Sequence, residues 1–251
     1  MVRRFRGPVV LPRGGRDDEH GPDEMGGAVR FRHRDEIRRD FPALVPAVLF
    51  AGDITPDGDV GQYVKEYTAI ARERLAAGSE GQFPEIQAWR RAFVAQGLKP
   101  TQYRCASESL LRRLRKEGDL PRLHPLVDLC NALSVAFAVP IAALDLARID
   151  GDLEVGYATG TETYLTFAGE VEHPDPREVV FVDGAGRAHA RRWTNRQSGH
   201  SAIRPATTGA LIVAEGLHES AAVDVPRLAA ALREALAAVW GPGALRTAGE
   251  H

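Results

Sequence analysis

The chain has 251 residues and a mass of 27.3 kDa, with 44% apolar and 26% charged residues. Such a composition suits one soluble domain with a full core and excludes a disordered chain, a collagen-like fibre and a disulfide scaffold. The formal net charge of -2 excludes a polycation that coats nucleic acid, although all basic residues except Lys65, Lys99 and Lys116 are arginines.

Residues 1–35 are polar and glycine-rich, with no hydrophobic period, and are read as a flexible N-terminal extension. The apolar run Leu44 to Ala51 predicts a buried strand. Val64, Tyr67, Ala71 and Leu75 recur at helical spacing and predict a helix over 62–77, with Gly78 as its stop. A second helix is expected over 84–96, carrying Ile86, Trp89 and Phe93 on one face. Ser107 is the candidate N-cap of a third, with Leu110, Leu111 and Leu114 buried and Gly118 as its end. Pro125 opens a fourth that runs to about Ala138.

After Pro140 the texture turns to short β-prone runs, at 153–159, 163–167, 179–182, 188–193, 201–204 and 210–214. Asp183-Gly184 marks a hairpin between two of them. A last amphipathic helix is expected from Asp224, with Pro226 in its first turn. Helices early and strands late, without βαβ alternation, predict a single α+β domain over 36–243 and a disordered tail over 244–251.

Three segments place polar groups where burial is expected. In Tyr103-Arg-Cys-Ala-Ser-Glu-Ser-Leu-Leu-Arg-Arg-Leu-Arg-Lys the leucines face inward, so Arg112, Arg113, Arg115 and Lys116 spread over the other sides. Ser107 and Glu108 fall in the first turn, where backbone N–H groups can hold an anion or a carbonyl oxygen. In the nearly apolar helix after His124, Asp128, Asn131 and Ser134 form one polar strip at three-residue spacing. That strip either ties neighbouring backbone together or faces a wet pocket. The third segment, Arg191-Arg-Trp-Thr-Asn-Arg-Gln, combines guanidinium forks with an aromatic ring, a mixture suited to RNA or a nucleotide unless Trp193 closes the core. The templates GxSxG, GxxxxGK[ST], HExxH and GxGxxG are absent, and the histidines show no metal-ligand spacing. Two isolated cysteines make no zinc site, and no apolar run approaches the roughly 18–20 residues of a membrane span. A cytoplasmic protein with no metal, no cofactor and no membrane partner is expected.

Taken in order, these segments resemble the B3/B4 domain of the phenylalanyl-tRNA synthetase β subunit, and more closely its free-standing relatives. The carrying stretches are Trp89-Arg-Arg-Ala-Phe, the 103–113 segment, Leu120-Pro-Arg-Leu-His-Pro-Leu-Val-Asp-Leu-Cys-Asn-Ala-Leu-Ser, Val139-Pro-Ile-Ala-Ala-Leu-Asp and Arg191-Arg-Trp-Thr-Asn-Arg-Gln. In the synthetase this domain hydrolyses tyrosine wrongly joined to the phenylalanine tRNA. The resemblance implies a trans-acting aminoacyl-tRNA deacylase that positions a water without a metal. It leaves two alternatives open, a tRNA or amino-acid binding module and an aminoacyl transferase, together with the oligomeric state. It implies catalytic roles for Glu108, Asn131 and Ser134, and substrate contacts from Ser107, Asp128, Glu162, Arg192 and Asn195. Arg112, Arg113, Arg115, Lys116 and Arg196 would then meet the tRNA. The segment Pro140-Ile-Ala-Ala-Leu-Asp lacks the pocket histidine of the synthetase.

Overall fold

A computed structural model describes residues 29–246. In chain order the first half contains β1 (Phe31–His33), α1 (Asp35–Asp40), β2 (Val45–Ala51), α2 (Gly61–Ala77), α3 (Pro84–Ala95), α4 (Ala106–Glu117) and α5 (Pro125–Phe137). The second half contains β3 (Ile141–Asp145), β4 (Leu153–Tyr157), β5 (Tyr164–Leu165), β6 (Val171–Glu172), β7 (Val179–Val182), β8 (Ala188–Arg191), β9 (Arg196–Gln197) and β10 (Ala210–Gly216). The chain closes with α6 (Ala221–Trp240) and β11 (Leu245–Arg246). The fold class is α+β, with helices mostly early and strands mostly late.

Two sheets organise these elements. One runs β1-β4-β7-β8-β9, with β1 parallel to β4 and the remaining neighbours antiparallel. The other is antiparallel throughout, in the order β11-β2-β10-β3. Strand β10 is central and buried along its whole length, so both of its faces must be apolar. Leu211 and Val213 pack with Phe50, Leu144, Trp89, Phe93, Phe181 and Trp193 in one core. Ala210 and Ile212 point the other way, to Leu126, Leu129 and Leu133 of α5 and Leu232 and Leu236 of α6. The period-2 alternation of one strand therefore divides the molecule into two cores.

Several expectations are corrected. Residues 31–33 form β1 and Val29 is buried, so folded structure begins ahead of residue 36. The earlier part of the expected extension lies outside the described residues. At the other end Leu245 and Arg246 pair with Ala51 and Phe50 as β11, and 247–251 lie outside the described residues. Residues 201–204 form no strand: Thr207 donates its N–H back to the Arg204 carbonyl, and Pro205 supplies no N–H for a ladder. Helix α4 is capped at Cys105, which places Ser107 second in the helix. Helix α6 begins at Ala221, where Asp224 accepts from Ser220 Oγ at 2.5 Å, and Pro226 falls in its second turn.

Both cysteines are free and fully enclosed, Cys105 in the first core and Cys130 in the second. Burial pushes the Cys105 thiol up to about 11 and the Cys130 thiol up to about 12. Neither is a thiolate near neutral pH. Iodoacetamide at pH 8 should therefore label the chain only after addition of denaturant, as read by intact mass; rapid labelling of the native chain would refute this.

Candidate functional site

The segment joining β8 to β9 is held in an unusual backbone conformation. Arg192 and Trp193 are consecutive left-handed residues, with φ of 48° and 58°, a state costly for bulky side chains and kept only where surroundings enforce it. The enforcing contacts are explicit. Arg192 donates its N–H to Glu178 Oε1 at 2.7 Å and Trp193 donates its N–H to the Val179 carbonyl at 2.7 Å. The Trp193 ring is fully buried, edge-on to Trp89 at 5.0 Å and to Phe41 at 4.8 Å. Its indole N–H donates to Glu215 Oε1 at 2.9 Å, and the same oxygen lies 2.6 Å from His33 Nε2. All three residues are buried. Trp193 is thus a core residue and offers no stacking surface to a nucleotide.

This turn walls a cavity of about 60 Å3. Trp193 and Phe181 supply apolar surface, Ala106 stands at the start of α4, and Pro140, Ile141 and Ala142 form another wall. That last wall belongs to the segment lacking the synthetase histidine, so the cavity carries no imidazole there. Thr194, Asn195, Arg196 and Gln197 complete it. Asn195 donates Nδ2–H to the Arg104 carbonyl and Gln197 donates Nε2–H to the Ala143 carbonyl, each at 2.7 Å. Each amide keeps its oxygen as an acceptor. Thr194 Oγ1 is buried without a hydrogen-bond partner among the described residues. A second, wider groove of about 440 Å3 shares Asn195, Arg196 and Gln197 as a common wall.

Most residues singled out from the sequence lie elsewhere. Glu108 is fully buried in α4, where Arg90 grips both carboxylate oxygens at 2.7 and 3.2 Å and Arg104 Nε lies 3.5 Å away. Ser107 is buried against Cys105 Sγ at 3.3 Å. Thr194 O accepts from the Ala106 N–H at 2.8 Å, so this donor of the α4 first turn is already engaged. The polar strip of α5 resolves mainly into backbone ties. Ser134 Oγ donates to the Val139 carbonyl at 2.7 Å, and Asp128 Oδ1 accepts from the Leu123 N–H at 2.8 Å. Burial raises the Asp128 carboxyl above its ordinary value. Asn131 is half-buried and forms no part of the cavity wall. Glu162 closes its own turn by accepting from the N–H groups of Thr159 and Gly160 at 2.9 and 3.0 Å. Burial raises its pKa, but these hydrogen bonds outweigh that and hold it below the ordinary value.

The arginines are largely paired. Arg112 and Arg115 converge on Glu80 at 3.2 and 3.0 Å, and Arg113 meets Glu117 at 2.8 Å. Lys116 stands on the same exposed stretch. Arg192 stacks over the Tyr103 ring at 4.6 Å. Arg196 is exposed at the mouth of the groove, 3.4 Å from Glu172 and 5.5 Å over Tyr164. Of the thirteen residues singled out, only Asn195 and Arg196 line the cavity. Thr194 and Gln197 flank them, and their place in the same short segment was the available signal. The 140–142 wall leads into an alanine-rich strand and was marked by the resemblance alone, as the segment lacking the synthetase histidine. Among the described residues, no group of three or more His, Cys, Asp or Glu could hold a metal ion, and no helix is long and apolar enough to cross a membrane.

The fold is α+β, and the cavity is lined by residues of both sheets. Residues 88–233 match the family model described as the B3/4 domain, more than half of the chain, and the chain belongs to that family. Over 90 residues it is 33% identical to the phenylalanine–tRNA ligase beta subunit of Shewanella oneidensis, covering 36% of this chain and 11% of that protein. Over 74 residues it is 35% identical to the same subunit of Legionella pneumophila strain Paris, covering 30% of this chain and 8% of that protein. The matched stretch therefore spans about a tenth of the length of these relatives. Among solved structures, an N-terminal fragment of the phenylalanyl-tRNA synthetase beta subunit from Pyrococcus horikoshii superposes with a TM-score of 0.46 at 10% identity. That superposition covers 84% of this chain and 49% of the other.

Proposed function

We propose that this chain is a trans-acting deacylase that hydrolyses the ester of a mischarged aminoacyl-tRNA within the cavity beside Thr194. One observation carries the reading. Every residue lining that cavity falls inside the 88–233 match to the B3/4 family, and the relatives named above are tRNA-ligase subunits.

The chemistry asked of such a cavity is modest. Water adds to the ester carbonyl, negative charge builds on the carbonyl oxygen, and the bond to the ribose oxygen breaks. The departing ribose oxygen takes up a proton as the free amino acid is released. The side-chain oxygens of Asn195 and Gln197 are acceptors suited to the α-ammonium. The Thr194 hydroxyl and the Arg196 guanidinium are donors suited to the developing oxyanion. A terminal ribose hydroxyl relays the proton, since among the described residues the only ionisable side chain in the cavity wall is Arg196.

That last fact also favours a second reading, in which the chain binds an aminoacyl-tRNA without hydrolysing it. A panel of tRNAs charged with each amino acid, correct and incorrect, separates the two. The expected result is loss of label from one mischarged species, with Thr194→Val slowing the rate by roughly tenfold or more. Asn131→Ala, outside the cavity wall, should leave the rate unchanged. Turnover lost in Asn131→Ala but kept in Thr194→Val would move the chemistry to the α5 strip. Binding without turnover across the whole panel would establish the binding module.

A further inference from the structure

The groove beside the cavity has features that ester hydrolysis alone does not call for. Its outer wall is the β5–β6 hairpin, whose tip exposes the Phe167 ring at 75%. Lone exposed apolar residues are ordinary. Phe167, however, follows a well-anchored strand end. Tyr164 donates its hydroxyl to the Gln197 carbonyl at 2.7 Å, and the Leu165 carbonyl accepts from Gly199 N–H at 2.8 Å and Ser198 Oγ at 3.0 Å. A Cβ at Gly199 would sit 2.9 Å from the Thr166 carbonyl oxygen, so this close approach requires glycine. The backbone that carries the ring is thus anchored, and the ring is exposed at the edge of a space of about 440 Å3, within the range of ligand sites.

The rest of the groove is polar and mixed in sign. Arg196 lies over the Tyr164 ring, Glu170 is exposed, and Glu172 accepts from Arg191 at 2.6 Å. Asn195 and Gln197 are shared with the cavity. A stacking ring, a guanidinium, amides and carboxylate acceptors together match a nucleoside: a π face, exocyclic amino groups and ribose hydroxyls. The cavity adds a geometric constraint. An amino acid esterified to a terminal ribose brings that ribose to the cavity mouth by one covalent bond, and the mouth is the shared 195–197 wall.

We propose that the groove between the β5–β6 hairpin and the 195–197 segment seats the 3′-terminal nucleoside of the RNA, its base stacked on Phe167. This rests on the reading of the cavity as an aminoacyl-ester site and deepens it. The test is binding rather than hydrolysis: fluorescence anisotropy of an uncharged, 5′-labelled RNA minihelix with a single-stranded 3′ end, with or without its last nucleotide. Phe167→Ala should weaken binding of the intact minihelix about tenfold, the scale of one base stacked on one ring, and Phe167→Tyr should restore it. The shortened minihelix should bind wild type and Phe167→Ala alike. Equal affinity of wild type and Phe167→Ala for the intact RNA would overturn the proposal, as would an equal loss on the shortened RNA. Displacement of the minihelix by AMP at the minihelix's own Kd would also overturn it, in favour of a free nucleotide. If the charged panel shows no turnover while this binding pattern holds, the deacylase reading fails and the nucleoside seat stands. If deacylation proceeds and Phe167→Ala binds as wild type, the reverse follows.

Discussion

Trp193→Ala is expected to destabilise the chain by about 3–5 kcal/mol in urea unfolding at neutral pH, the scale of deleting a fully buried large aromatic. Three losses coincide at this position. The ring leaves a void against Trp89 and Phe41, both in edge-on contact with it. The indole N–H no longer satisfies Glu215, a buried carboxylate whose remaining partner in this network is His33. The left-handed turn loses the anchor that holds residues 194–197 around the cavity. Trp193→Phe separates these contributions. It keeps most of the packing and removes the N–H, so it should cost less than alanine and more than an ordinary conservative core exchange. A cost below about 1 kcal/mol for Trp193→Ala would show that the turn and core do not depend on this ring.

How far the sequence disclosed this arrangement follows from where its patterns are strong. Helices α2 to α5 were legible because the first three bury one stripe, α5 is an apolar run too long for a strand, and each ends near a glycine or begins with proline, as Gly78, Gly118, Pro84 and Pro125 show. Strand β2 and strand β10 were legible as apolar runs, since both faces of that sheet are covered. Strands β1 and β9 have three and two residues, too few for alternation to register, and their existence depends on partners more than a hundred residues away for β1. Strand β3 is alanine-rich and lacks the β-branched signal apart from Ile141.

The site was legible in part for a different reason. The sequence marks a polar residue in an apolar helix but not which way its hydrogen bonds run. Ser134 and Asp128 satisfy neighbouring backbone, the blander of the two readings of the strip. Glu108 is an acid in a first helical turn, a pattern that fits both a catalytic carboxylate and a buried partner for Arg90, and the geometry selects the partner. The polarity of the 191–197 segment is divided. Arg191 and Trp193 are buried in the fold, while residues Asn195 and Arg196 line the cavity and the groove beside it. Two successive left-handed residues at non-glycine positions produce that division, and no composition rule announces them.

Arg191→Ala should be as damaging as the loss of Trp193, by about 3–5 kcal/mol, because it takes from a buried carboxylate its hydrogen-bonded counter-ion and leaves it Arg192 Nε at 3.9 Å. Glu178 receives Arg191 Nε and Nη2 at 2.9 Å each, and Arg191 Nη1 reaches Glu172 at 2.6 Å. One guanidinium therefore ties β8 to the start of β7 and to the hairpin that presents Phe167. Glu178 also accepts the Arg192 N–H, so the pair fixes the entry to the left-handed turn. The pH dependence follows from the Glu178 carboxyl. Burial raises its pKa, but the hydrogen bonds and charge of Arg191 lower it by more, and the net folded value lies below the ordinary one. A group whose pKa is depressed on folding stabilises fully above its unfolded value, about 4.3 for Glu, and loses that contribution as pH falls through the folded value. The stability gap between wild type and Glu178→Gln should thus be largest at neutral pH and narrow as pH drops below about 4. Urea unfolding of both proteins from pH 7 downward measures the gap. A gap that stays constant across this range would mean that Glu178 gains nothing from its charge, and that the Arg191 link to the turn and hairpin is one of shape alone.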